Sequence, residues 1–310
     1  MLRARLLLPL LTLAACAASP PPTDAASPAD RPRAVDVSRD DRVDATAADD
    51  AEAPCARPPS ERPANSVCVR EVRGQVLDTD GAPRVDVPVT VCGPVCWLGR
   101  TGTDGRFTVG VGDFVPTAIY SVLAHARPDH ATVYVPMPDV VGPGDIITLA
   151  EPLRVPRYTA TGDVIDGDAG VARAGAVTVR VPADARLELD LEDFKLGELG
   201  RRLRVAQVPV DRAPPFAREG RVQAVWALAP FAMTSTRPLG LRLPNTLNLA
   251  PGAAVDVVMM GGDILPPRSN AGRAVVAARG AVSVDGAFVE TLPNEGVSQL
   301  TWVGVRAREP

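Results

Sequence analysis

Two turn segments, Asp78-Thr-Asp-Gly-Ala-Pro83 and Thr101-Gly-Thr-Asp-Gly-Arg-Phe107, constrain the fold of this chain more than any other feature. Each sets Gly and Asp between runs of β-branched residues, the chemistry a chain uses to reverse direction between neighbouring strands. Val72-Arg-Gly-Gln-Val-Leu77 alternates before the first turn, and Phe107-Thr-Val-Gly-Val111 alternates after the second. Phe107, Val109 and Val111 are therefore expected to face a core at period two. Gly81 and Gly105 are expected to carry positive φ, and Pro83 to open a strand where no donor is needed. The 32 prolines and 26 glycines in 310 residues interrupt the chain too often for long helices. The expected class is all-β, with room for about two domains of ordinary size.

The N-terminal end reads as delivery apparatus. Arg3 and Arg5 precede the apolar run Leu6 to Leu13, and Leu13-Ala-Ala-Cys16 then sets small residues before a cysteine. So short a run cannot cross a hydrocarbon core of roughly 30 Å as a helix, so residues 1–15 are expected to be a signal peptide. Leu-Ala-Ala-Cys resembles the bacterial lipobox. The resemblance implies diacylglycerol on the Cys16 sulfur, cleavage before Cys16 and acylation, for instance by palmitate, of the new N-terminus. More than one acyl chain, at ~0.8 kcal/mol per buried CH₂, anchors stably to a membrane. Ala17 rather than Asp follows Cys16, which favours the cell outer membrane of a bacterial envelope. Residues 16–66 are Pro, Ala, Ser, Asp and Arg with little to bury, and are expected to be a disordered tether. Asp49, Asp50 and Glu52 within it read as a solvated charge run.

Apart from Cys16, four cysteines remain, Cys55, Cys68, Cys92 and Cys96, an even number in a chain bound for an oxidising compartment. Spacing favours Cys55–Cys68 and Cys92–Cys96, since Gly93-Pro94 can fold the second pair together, with Cys68–Cys92 as the competing pairing. The four thiols lack the two close pairs of a zinc site, so no metal is expected there.

The segment Val72-x-Gly74-x-Val76, Asp78-x-x-Gly81-x-Pro83, Val87-x-Val89-x-Val91 and Thr103-Asp-Gly-x-Phe107 resembles the carboxypeptidase regulatory-like family. Ser121-Val-Leu-Ala124 and Asp145-Ile-Ile-Thr-Leu149 continue the match. The resemblance implies a transthyretin-like β-sandwich over residues 67–155, a carbohydrate-binding-like fold that spaces or presents its neighbours without catalysis. Residues 156–310 repeat the all-β pattern. Ala176–Val181, Val222–Leu228, Leu239–Asn245, Leu249–Ala253, Gly280–Gly286 and Gly296–Trp302 are expected strands, and Leu189–Leu196 a helical turn. Their order resembles the β-sandwich of ankyrins and netrin receptors. Some members of that family cleave themselves at a His-Phe-Ser site, but no histidine follows His130 here. The expected architecture is thus two antiparallel β-sandwich domains, each with its own core and able to fold alone.

Catalytic groupings are poorly represented. There is no Gly-x-Ser-x-Gly elbow, no phosphate-cradling glycine loop and no dinucleotide fingerprint. Asp78-Thr-Asp-Gly81 opens like a calcium loop, yet Val89 stands where the closing glutamate belongs, so a plain turn is expected. His125, Asp129 and His130 are close in sequence but read as loop residues rather than metal ligands. No basic stripe is interleaved with aromatics, so nucleic acid is not an expected partner. Trp97, just after Cys96 at a loop, is the candidate ligand-binding residue as an exposed stacking platform. The expected function is non-catalytic: a lipid-anchored envelope protein with a structural, adhesive or partner-presenting role, touching the membrane through its anchor and an envelope polymer or protein through its body. The alternatives are a carbohydrate-binding surface module using Trp97, and an enzyme with an unrecognised site in the second domain. No cofactor is implied.

Overall fold

The computed structural model describes residues 55–167, 170–262 and 270–308. The expected signal peptide, Cys16 and the expected tether as far as residue 54 lie outside the described residues. In the first half the alternating runs become β1 (Val67–Leu77), β2 (Pro88–Cys92), β3 (Cys96–Arg100) and β4 (Arg106–Val115). They are followed by β5 (Ser121–Ala124), β6 (Val133–Pro136), β7 (Ile146–Thr148) and β8 (Leu153–Arg154). β1 pairs antiparallel with β4 and parallel with β7 and β8, while a second, antiparallel sheet runs β3-β2-β5-β6. Val72 and Val76 of the first sheet and Val89 and Val91 of the second are fully buried in one shared core, joined by Phe107 and Val109.

The two turns form as their residues dictate. Asp78 Oδ1 accepts hydrogen bonds from the amides of Asp80 and Ala82, each at 2.9 Å, and Gly81 takes φ 91°. Gly105 takes φ 73°, and a Cβ there would lie 2.6 Å from the Val76 carbonyl oxygen. Pro83 makes only an isolated bridge to Leu77, and the next strand waits until Pro88. The body also begins before Ser66, where composition places the end of the tether. The Cys55 amide donates to the Gly112 carbonyl at 2.9 Å, Arg57 donates to Asp113 at 2.6 Å, and the Arg62 guanidinium lies 4.0 Å over the Phe114 ring. A stretch that is polar throughout is held here by bonds to β4 rather than by burial of its own side chains.

The second half contributes β9 (Ala160–Val164), β10 (Gly170–Ala174), β11 (Val177–Val181), β12 (Leu187–Glu188), β13 (Arg202–Val208) and β14 (Ala224–Ala229). It continues with β15 (Thr234–Pro244), β16 (Ala254–Met260), β17 (Ala274–Val282), β18 (Phe288–Thr291), β19 (Val297–Gln299) and β20 (Trp302–Ala307). Three short helices interrupt them: α1 (Leu191–Phe194), within the expected helical turn, α2 (Glu198–Arg201) and α3 (Phe216–Glu219). The chain is all-β, with one 12-stranded sheet ordered β10-β11-β15-β18-β17-β16-β20-β14-β13-β9, and β12 and β19 also on β15. The ends of that order meet, the Arg173 amide on β10 donating to Asp163 Oδ2 on β9 at 2.9 Å. Leu249–Ala253 is not a strand: Asn248 at φ 53° and Gly252 at φ 77° make it a turn, and β16 starts at Ala254. Gly296–Trp302 is divided between β19 and β20.

β14 explains how the halves combine. Ala224, Trp226 and Leu228 face the core enclosed by the large sheet, whereas Val225 and Ala227 on its other face join the core of the first half. β16 divides likewise, with Val255 and Val257 inward and Val258 and Met260 outward, and on β20 Val303 points inward and Trp302 outward. Strands buried on both faces need continuous apolar runs rather than alternation. The core inside the large sheet is built from the second half alone, whereas the first half's core continues onto that sheet's outer face, in one cluster from Val69 and Tyr134 to Phe231 and Trp302. Pairing between the named strands stays within each half among the described residues, while an isolated bridge joins His130 to Arg157 just past the boundary.

Candidate functional site at the seam

The loop from β5 to β6 carries Arg127, which meets the second half at a buried ionic network. Asp193 on α1 is fully buried and accepts from Arg204 of β13 at 2.7 Å through one oxygen and from the Phe231 amide at 2.7 Å through the other. Arg204, 2 % exposed, also donates to the Pro128 carbonyl at 2.6 Å, so one guanidinium binds both halves. Arg127 Nη1 stands 2.5 Å from Asp190 and 3.6 Å from Asp193. Around these charges, Tyr134 stacks on Phe231 with centroids 5.2 Å apart, and Trp302 Nε1 donates to the Thr132 carbonyl at 2.8 Å.

Burial and charge compete in this network. Burial pushes the Asp193 carboxyl up, and Arg127, Arg204 and the Phe231 amide only partly pull it back. Burial disfavours the Arg127 cation, but the carboxylates of Asp193 and Asp190 outweigh that and raise its pKa. Burial pushes the Tyr158 phenol up, with the Arg204 guanidinium 5.3 Å from its ring. At the loop's start, burial and then Arg127 lower His125 to about 4, and its Nε2 lies 3.0 Å from the Thr90 hydroxyl. Both Asp193 oxygens are engaged, so the network is suited to fastening the two halves rather than to proton transfer with a substrate.

The seam also opens to solvent as hollows of about 260, 310 and 630 Å³, and a fourth of about 500 Å³ lies on the first half alone; all four are lined by Glu151. Their walls are the β7–β8 region on one side and the segment from Val210 to Val222 on the other, with Pro152, Pro214 and Pro215 as a stiff floor. Seven arginines line them against three acids, Asp139, Glu151 and Asp211. Arg218 pairs with Glu151 at 3.2 Å, and Arg212 donates to the Thr79 carbonyl at 2.8 Å, bridging the seam.

The residues singled out from sequence fall elsewhere. Cys16 lies outside the described residues. Cys55 is bonded to Cys68 and Cys92 to Cys96, the latter pair facing each other across the β2–β3 hairpin. Trp97, expected at a loop, belongs to β3 because the disulfide closes the turn and the strand starts at Cys96. It is half-buried, packed on the first core with its ring centroid 5.6 Å from Tyr120. His125 faces Thr90, whereas His130 Nδ1 lies 3.4 Å from Arg84, so the two histidines serve different neighbours. Arg127, Asp190, Asp193 and Arg204 had no signal in the sequence: they look like ordinary surface charges until the fold gathers them. No family model, no curated protein and no solved structure matches this chain.

Proposed function

We propose that this chain is a non-catalytic, lipid-anchored protein of the bacterial envelope, whose all-β body presents a binding surface to an envelope polymer or partner protein. The lipobox-like Leu13-Ala-Ala-Cys16 and the polar composition after it support the anchor and the outer-membrane location. The resemblances to the carboxypeptidase regulatory-like family and to the β-sandwich of ankyrins and netrin receptors support a presenting body. The observation that carries the reading is the seam. There the halves are fastened by the Arg127–Asp193–Arg204 network, and the seam also carries open, arginine-lined hollows. A surface held in fixed geometry by buried charges suits binding, since little is lost in ordering it.

Two measurements test this. Detergent-phase partitioning should move from the detergent to the aqueous phase on Cys16→Ser, and partitioning that does not change overturns the anchor. Cross-linking of the full chain in intact envelopes should capture a polymer or protein. Turnover of ester, glycoside or peptide substrates with nothing captured would overturn the non-catalytic role.

A further inference from the structure

Arg154 on β8 and Arg273 at the start of β17 are half-buried in the seam groove, and neither guanidinium has a carboxylate or carbonyl partner among the described residues. Other sheltered arginines are paired with carboxylates, as Arg127 with Asp190, Arg204 with Asp193 and Arg306 with Asp256 at 3.1 Å. A partly desolvated cation left without a counter-charge is a cost that a bound anion would remove. The chain as a whole is net −4, whereas five arginines meet three acids in the seam hollows, a local reversal of the protein's charge.

Resting on the envelope-presentation reading above, we propose that this groove binds a linear acidic polysaccharide, one carrying carboxylates on successive sugars. The shape points to a polymer: the hollows meet at Glu151 and open to solvent, which suits a chain lying across them rather than an enclosed small molecule. The donors point to carboxylate, because a guanidinium forks onto a planar carboxylate through two parallel hydrogen bonds. The walls argue against nucleic acid, since Phe107 is the one aromatic side chain lining them and successive bases need stacking partners. Arg154, Arg218 and Arg212 are placed to hold one stretch of the polymer, and Arg273 the next. Glu151 sits among them as the opposing charge, repelling the ligand and holding Arg218 back in its ion pair.

The test uses the full chain in detergent, with polygalacturonate as probe, dextran as the neutral comparison and polyphosphate as the non-sugar polyanion. Polygalacturonate should bind, dextran should not, and binding should weaken as salt is raised. Arg154→Ala and Arg273→Ala should each weaken it about tenfold, the order expected for one charge-assisted contact. Glu151→Gln, an exposed change that leaves folding alone, should tighten it several-fold, and Arg237→Ala, outside the groove and paired with Asp184, should leave it unchanged. No binding of polygalacturonate, or binding that Glu151→Gln and Arg154→Ala leave unmoved, overturns the proposal. Tighter binding of polyphosphate than of polygalacturonate overturns the polysaccharide and assigns the groove to phosphate polymers. If polygalacturonate fails while cross-linking in envelopes still captures a partner, the groove's ligand is wrong and the presenting role stands; if both fail, the role falls too.

Discussion

Trp302 Nε1 donates to the carbonyl oxygen of Thr132 at 2.8 Å, tying β20 to a loop 170 residues earlier, with both residues fully buried. The bond lies where the large sheet's outer face meets the first half, so it reports on whether the halves act as one body. Trp302→Phe keeps most of the ring and removes the donor, leaving the Thr132 carbonyl buried without it. The expected cost is about 1–3 kcal/mol. Urea unfolding followed by near- and far-ultraviolet circular dichroism should show one coincident transition shifted to lower denaturant. Two separated transitions in the unmutated protein would contradict the shared core.

Asp193 should be the most sensitive charge in the molecule. Asp193→Asn leaves the Arg127 and Arg204 guanidiniums sheltered without their shared carboxylate, and breaking one side of such a buried pair costs about 3–5 kcal/mol. Asp190→Asn should cost much less, because the Asp190 side chain is 24 % exposed and water can replace it. The double replacement Asp193→Leu with Arg204→Met should recover part of the loss, since removing both partners of that pair leaves neither charge orphaned by the other. Chemical denaturation of these three variants beside the unmutated protein checks the ranking, and equal losses for Asp190 and Asp193 would contradict it.

How far the sequence could be read depended on the kind of interaction that holds each part. β1 and β4 were legible because Val72, Val76, Phe107 and Val109 alternate and because Asp78, Gly81 and Gly105 allow few conformations but turns. The β14 run was legible as a strand from Val222-Gln-Ala-Val-Trp-Ala-Leu228, though not what covers its second face. Leu249–Ala253 misled, since its leucine and alanine sit on a turn set by Asn248 and Gly252, while the fully apolar stretch Val257–Met260 follows. β13 was missed because Arg202 and Arg204 interrupt its pattern, and a buried arginine becomes intelligible only with Asp193 beside it. The seam groove was invisible for the same reason: Arg154, Arg212, Arg218 and Arg273 come from four segments that only the tertiary fold brings together.

The two disulfides should contribute unequally. Cys55–Cys68 closes 13 residues of chain and also ties the start of segment 55–66 to β1, whereas Cys92–Cys96 closes a hairpin that β2–β3 pairing already favours. Loop closure gives about 3 kcal/mol for the first and nearer ~2 for the second. Cys55→Ser/Cys68→Ser should therefore lower stability more than Cys92→Ser/Cys96→Ser. Peptide mapping without reductant should recover both bridges, and a Cys68–Cys92 peptide would refute this pairing.

Acid should loosen the protein through its histidines, and the sign follows from their surroundings. The chain has only two, His125 and His130, and burial lowers both, His125 to about 4 from 6.5. His125 Nδ1 is buried without a hydrogen-bond partner, so a proton placed there has no acceptor. Arg127 beside it repels the imidazolium, while Asp190 and Glu192 only partly compensate. Above pH 6.5 the imidazole is neutral folded or unfolded, and it contributes no pH dependence. Between 6.5 and 4 the unfolded chain takes up a proton that the folded one refuses, so stability falls as pH falls. At about 1.36 kcal/mol per pH unit the loss reaches roughly 3 kcal/mol by pH 4. The raised pKa of Asp193 works in the opposite direction, so the histidine effect is best read as a difference between proteins. His125→Gln, whose amide can still reach the Thr90 hydroxyl, should flatten the decline between pH 6.5 and 4 while changing stability little at about pH 8. His130→Gln should flatten it less, because His130 stands beside Asp129 and Asp78 as well as Arg84. Urea midpoints at half-unit steps from about pH 8 to 4 give the comparison, and parallel curves for the unmutated protein and His125→Gln would show that this imidazole does not couple to folding.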